Sequence, residues 1–180
     1  ASGDSETSAK LIPCAPRGLR LEGINNHLAY TVAMVDRVFQ DADRYDYIHF
    51  HVDFVQMPLF KHLAGKCLTT LHGRLDLPDF LPGFTEFPEA RLVSISNDQR
   101  RPVPDANFVG TVYHGLPETL IPFAPEGGDY LAFLGRISPE KRPDRAIEIA
   151  IRSGMKLKMA AKVDYADQAY FAKEIEPLLD

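Results

Sequence analysis

Two groups of residues have the types and spacing to do chemistry. Arg136 and Lys141 follow the apolar run Tyr130 to Leu134 and precede a run that opens with Pro143 and carries Ala146, Ile147 and Ala150 on one side. Where a strand ends and a helix begins, free backbone N–H groups and the helix dipole both favour an anion. Two cations beside that spot suit a diphosphate. Histidines form the second group: His49 and His51 flank one residue, His72 closes Thr69-Thr70-Leu71-His72, and His114 follows Tyr113. A neutral imidazole can hydrogen-bond a hydroxyl and take up a proton near neutral pH. Residues two apart on a strand share a face, and His-x-His is also a metal-ligand spacing. With Asp53, His72 and His114 the pair could build a hydrolase site in which zinc or a similar ion activates water.

The elements that must position these residues alternate. A helix is predicted from about His27 to Ala42, with Leu28, Val32, Val35, Phe39 and Ala42 recurring at helical spacing and Asn25 or Asn26 as its cap. Strands follow at Tyr47 to His51, Lys66 to Leu71, Leu92 to Ser96 and Phe108 to Tyr113, with a helix around Phe54 to Leu63. Arg74 to Glu89, punctuated by Pro78, Pro82, Gly83 and Pro88, is expected to be a long functional loop. Residues 117–129, with Pro122, Pro125, Gly127 and Gly128, mark a linker between a first domain, 1–116, and a second, 130–180. The second begins with strand Tyr130 to Leu134. Gly135 is expected to turn the backbone there, Pro143 to open a helix, Gly154 to close it, and Leu157 to Val163 to form the next strand.

Alternating strands and helices imply a parallel sheet with helices on both faces, and ligands in such sheets sit beyond the carboxyl ends of the strands. That rule selects His51 with Asp53, His72 with Gly73, His114, and Gly135 with Arg136.

The string from Gly135 to Ile147, Gly-Arg-Ile-Ser-Pro-Glu-Lys-Arg-Pro-Asp-Arg-Ala-Ile, closely resembles the donor-binding segment of the retaining GT-B glycosyltransferases of family 4, also called group 1. The resemblance implies two Rossmann-like domains, both incomplete here: an acceptor-side domain and the first part of a nucleotide-sugar domain. It implies transfer of a hexose from a UDP- or GDP-sugar to a hydroxyl acceptor, saccharide or lipid-linked, with no metal and no other cofactor. Arg136 and Lys141, with Gly135, would hold the donor diphosphate. Thr69-Thr70-Leu71-His72 is similar to the family's Thr-x-His motif, which gives His72 the catalytic role of orienting the reacting sugar. The Tyr47 to Asp53 stretch resembles the strand before that motif, so His51, Asp53, Gly73, His114 and Lys162 become candidate cleft residues. Two departures stand out. His114 occupies a place where many relatives have Asn before Gly, and Lys162 one where relatives often have a glycine-rich turn. Glu140 and Glu148 match the family's Glu-x7-Glu only in spacing; the signature pair is expected beyond Asp180, and Glu148 is expected to pair with Arg145 or Arg152. Taken alone, the segment is expected to be inactive or to bind nucleotide only weakly. A metal-dependent hydrolase using His49 and His51, and a non-catalytic nucleotide-binding module, are the alternatives.

Composition narrows the classes. With 180 residues, 45% hydrophobic and 25% charged, the chain has the make-up of a globular protein, and a formal charge of −5 argues against binding nucleic acid by phosphate neutralisation. Cys14 and Cys67 stand far apart, which fits a reducing cytoplasm better than a disulfide framework. No apolar run is long enough to span a bilayer, although a peripheral membrane contact stays open.

Overall fold

The computed structural model describes residues 1–179. Among them the chain divides into two compact units, one spanning Ala1–Leu116 and the other starting at Pro117. Both are α/β with parallel strands.

The first unit holds a four-stranded sheet in the order β1 (Ile48–Phe50), β2 (Cys67–Thr70), β3 (Leu92–Ser94) and β4 (Phe108–Thr111). Every pairing is parallel. Helix α1 (Leu28–Gln40) precedes β1, α2 (Met57–Phe60) and a 3-10 stretch (Lys61–Lys66) join β1 to β2, and α3 (Leu81–Glu86) lies between β2 and β3. Strand alternation sends Ile48, Phe50, Cys67, Leu71 and Leu92 to one face. That face is the core: Ile48, Phe50 and Cys67 cluster with Val35 of α1 and Phe60 of α2, while Leu71 and Leu92 cluster with Met57 of α2 and are packed by Phe84 of α3. Burying a leucine such as Leu71, 1% exposed, is worth about 2 kcal/mol.

The helices expected on both faces therefore all cover one. The cause is the consecutive strand order, since right-handed crossovers that always step in the same direction stay on the same side. The opposite face presents His49, Leu68, Thr70 and Val93.

Helix α1 is rotated from its expected face. Val35 is buried with Met34 and Val38 packed nearby, whereas Leu28 and Val32 are exposed. His27 occupies the cap position and Asn26, one residue earlier, accepts the Leu28 N–H on Oδ1 at 3.2 Å. The expected loop after His72 is largely helical too. Pro78 opens a 3-10 turn and Pro82 stands in the first turn of α3, positions where a missing N–H costs nothing.

The second unit pairs β5 (Tyr130–Arg136) with β6 (Lys156–Lys162), with α4 (Pro143–Ser153) between them in sequence. Its core is Ile137, Ile147 and Ile175, packed by Phe133, Leu157 and Met159 from the inner face of the sheet. Pro143 opens α4, and Gly154 ends it in the left-handed conformation, φ 63°. Gly135 makes no turn: it pairs with Ala161 inside β5, so the strand runs through to Arg136. The reversal falls later, where Arg142 takes φ 54°.

Candidate functional site

At the carboxyl end of the first sheet the strands deliver four histidines to one place. His49 and Thr70 project from the face opposite the core, where His49 Nε2 and Thr70 Oγ1 are 2.8 Å apart. His51, one residue beyond β1 on the same side, lies against His49 with ring centroids 4.3 Å apart. His51 Nδ1 then meets His72 Nε2 at 2.9 Å, and His72 Nδ1 meets His114 Nε2 at 3.3 Å. Three residues selected separately in the sequence thus form one hydrogen-bonded chain. Burial, reinforced by His49 and His72, pushes the His51 pKa below its ordinary value and favours the neutral ring.

Two of the other cleft candidates stand apart from this chain. Asp53 uses its backbone carbonyl to accept from Gln56 Nε2 at 3.1 Å, and its carboxylate has no hydrogen bond or ion pair among the described residues. Gly73 offers only its carbonyl, which Gln99 Nε2 binds at 2.8 Å. Gln99 is the residue that sequence reasoning missed. Its Nε2 also donates to Leu71 O at 3.0 Å, while its Oε1 accepts from Ile95 N at 2.8 Å, so one amide ties the segment after β2 to the segment after β3. A lone glutamine in a turn carries no signal of that role. His72, Gly73, Asp76, Ser96 and Gln99 border an open pocket of about 420 Å³.

Among the described residues no three His, Cys, Asp or Glu side chains are grouped so as to hold a metal ion. The histidines instead face one another nitrogen to nitrogen.

In the second unit Arg136 is the last residue of β5 and sits opposite Lys162, the last of β6. Carboxylates surround the guanidinium: Glu140 Oε1 at 2.5 Å, Asp167 Oδ2 at 3.3 Å and Asp164 Oδ2 at 3.6 Å. Asp164 also reaches Lys162 Nζ with Oδ1 at 2.5 Å. The hydrogen bond that Arg136 donates to Glu140 raises the Arg136 pKa further, so its charge is permanent. Lys141 is exposed, with no ion-pair partner among the described residues, and lies just before α4. The strands and the turn after β5 therefore bring Arg136, Lys141 and Lys162 to the carboxyl end of the sheet. Glu140 is bound to Arg136, and Glu148 pairs with Arg152 at 3.4 Å, as its position on α4 suggested.

Against protein-family models the chain has no match, and a search of curated proteins likewise finds none.

Proposed function

We propose that the chain is part of a retaining glycosyltransferase of GT-B type, moving a hexose from a UDP- or GDP-sugar to a hydroxyl acceptor, saccharide or lipid-linked, in the cytoplasm. The observation that carries the reading is the second unit's strand end: Arg136 and Lys162 in register, with Lys141, which has no ion-pair partner among the described residues, just before the N-terminus of α4. Fixed cations and a helix N-terminus there suit a diphosphate better than a neutral ligand. In the transfer, negative charge grows on the departing diphosphate, and preorganised cations stabilise that charge more than they stabilise the ground state. Arg136 is a fork held on several sides, which fixes its direction; Lys141 carries its charge on an exposed, flexible four-carbon stem that can follow the leaving group. The imidazoles of the first unit supply hydrogen bonds to hydroxyls in this reading.

Calorimetric titration of the chain with UDP and with GDP tests it, beside Arg136→Ala and Lys141→Ala. One nucleotide should bind without added metal, and each variant should weaken it about tenfold, since hydrogen bonds to charged groups are worth about 1.5–3 kcal/mol. Binding that ignores both substitutions, or no binding of either nucleotide to the folded chain, would overturn the diphosphate site. Binding with no turnover in a completed enzyme would leave a nucleotide-binding module.

A further inference from the structure

The imidazole chain has a property that does not depend on what the second unit binds. Both ring nitrogens of His72 are occupied, Nε2 by His51 Nδ1 at 2.9 Å and Nδ1 by His114 Nε2 at 3.3 Å. A neutral imidazole has one N–H and one lone pair, so each nitrogen-to-nitrogen contact holds a single proton. Only two arrangements satisfy both contacts with neutral rings. Either all three rings carry the proton on Nδ1, with His51 donating to His72 and His72 to His114, or all three carry it on Nε2 and donate in the opposite direction.

We infer that His51, His72 and His114 form a proton relay that serves a protic group, a hydroxyl above all, bound at one of its ends. The balance is simple. A hydroxyl proton arriving at His51 Nε2 sends the His51 Nδ1 proton to His72 Nε2, the His72 Nδ1 proton to His114 Nε2, and the His114 Nδ1 proton to solvent. One proton enters, one leaves, three tautomers invert, and no electron moves.

Three observations support the relay. First, the terminal nitrogens, His51 Nε2 and His114 Nδ1, make no hydrogen bond among the described residues, so both ends are open. Second, among the described residues no carboxylate makes a hydrogen bond or ion pair with any of the three rings to lock one tautomer: Asp76 is bound by Arg74 and Asp98 by Arg101, the Asp53 carboxylate has no such partner, and His49 lies against His51 as a ring. A catalytic triad works the opposite way, its carboxylate fixing the histidine in one state. Third, desolvation pushes the His51 pKa below its ordinary value and so favours the neutral form of that ring, the form it needs in the two-state chain. His72 is thereby a positioning residue, since its nitrogens cannot meet a substrate while the chain is intact. His51 and His114 are the rings that can.

Imidazole nitrogen NMR on the labelled chain, at a pH above the ordinary imidazole range, tests this directly. Scalar couplings across both N–H···N contacts are expected, with His51, His72 and His114 in the same tautomer or exchanging between the two together. In His72→Gln both couplings should be lost and the His51 and His114 tautomers should uncouple, while His49, bonded to Thr70, keeps its signals. Opposite fixed tautomers at His51 and His114 in the unaltered chain, or absent couplings in it, would sink the relay even if the variant does not fold. Nucleotide titration does not enter this experiment, so the relay and the transferase reading stand or fall separately.

Discussion

Arg136 and Lys162 are register partners at the carboxyl ends of β5 and β6, and Asp164 bridges them with its two oxygens, Oδ2 to Arg136 and Oδ1 to Lys162. Counting Glu140 and Asp167, three negative charges oppose these two positive ones, a sum of −1 that Lys141 brings to zero. A diphosphate entering here must displace or push aside a carboxylate. Asp164→Asn removes one negative charge while keeping the shape of the side chain. It should tighten nucleoside diphosphate binding by about 1 kcal/mol, roughly fivefold, and the gain should shrink in high salt. Calorimetry at two ionic strengths measures both effects; weaker binding in the variant would mean that Asp164 positions the cations more than it competes for them.

Asp144 contributes to the acid behaviour of the second unit. Arg142 binds its carboxylate with two nitrogens at 2.6 to 3.2 Å, which lowers the pKa from 3.8 to about 2. A folded pKa below the unfolded value means the contribution is present above about pH 4 and is lost as pH falls through about 2. Both side chains are partly solvated, so the effect is modest. In thermal melts across this range, Asp144→Asn should be less stable than the unaltered chain at neutral pH and equal to it near pH 2. A difference that persists at the acid end would assign the loss to something other than charge.

His51 gives the first unit a dependence of its own. Its lowered pKa means the unfolded chain binds the proton more readily, so stability falls as pH drops below the ordinary imidazole value of 6.5. Replacing the neighbouring His49 by Gln removes one of the causes, and the loss on acidification should then be smaller. Melts at pH values on either side of 6.5 compare the two chains; an equal or steeper loss in His49→Gln would leave burial and His72 as the causes.

Much of this arrangement was legible from residue order. Alternation placed the strands to within a few residues, and the rule that ligands sit beyond strand carboxyl ends selected His51, His72 and His114, which the fold joins. Three things were hidden for physical reasons. The registers that put Arg136 beside Lys162 are long-range and leave no local pattern. The acidic surround of Arg136 comes from Asp164 and Asp167, after the next strand, where a carboxylate in a turn looks like any solvated charge. The prolines at 78 and 82 are equally at home in a loop or in the first turn of a helix, so they could not decide between them.

Gln99 holds the segment bearing His72. In Gln99→Glu the two N–H groups that bind Leu71 O and Gly73 O are replaced by an oxygen facing two carbonyls, whereas Gln99→Ala leaves those carbonyls to water. Breaking partly buried hydrogen bonds costs about 1–3 kcal/mol, and the glutamate should cost more than the alanine because it adds repulsion. Denaturant melts should rank them in that order, with the His72 imidazole signals disturbed in both. The reverse ranking would show that Gln99 acts mainly by filling space.

Two glycines should both resist alanine, for different reasons. Gly154 closes α4 at φ 63° with open space around it, so Ala meets no atom there and pays only for the left-handed backbone, about 1 kcal/mol. Gly83 lies inside α3, where Ala would ordinarily gain about 1 kcal/mol of helix propensity. Its Cβ, however, would come within 2.6 Å of the Phe54 ring, which is itself packed against Phe80 and Phe84. Overpacking costs about 1–3 kcal/mol, enough to cancel or exceed the gain. The cures separate the causes: Asn at 154 tolerates the left-handed conformation and should recover most of the loss there, while Phe54→Leu should rescue Gly83→Ala and leave Gly154→Ala unchanged. Stability measured for the single and double variants decides it, and rescue of the wrong glycine would mean that one of these two strains is misassigned.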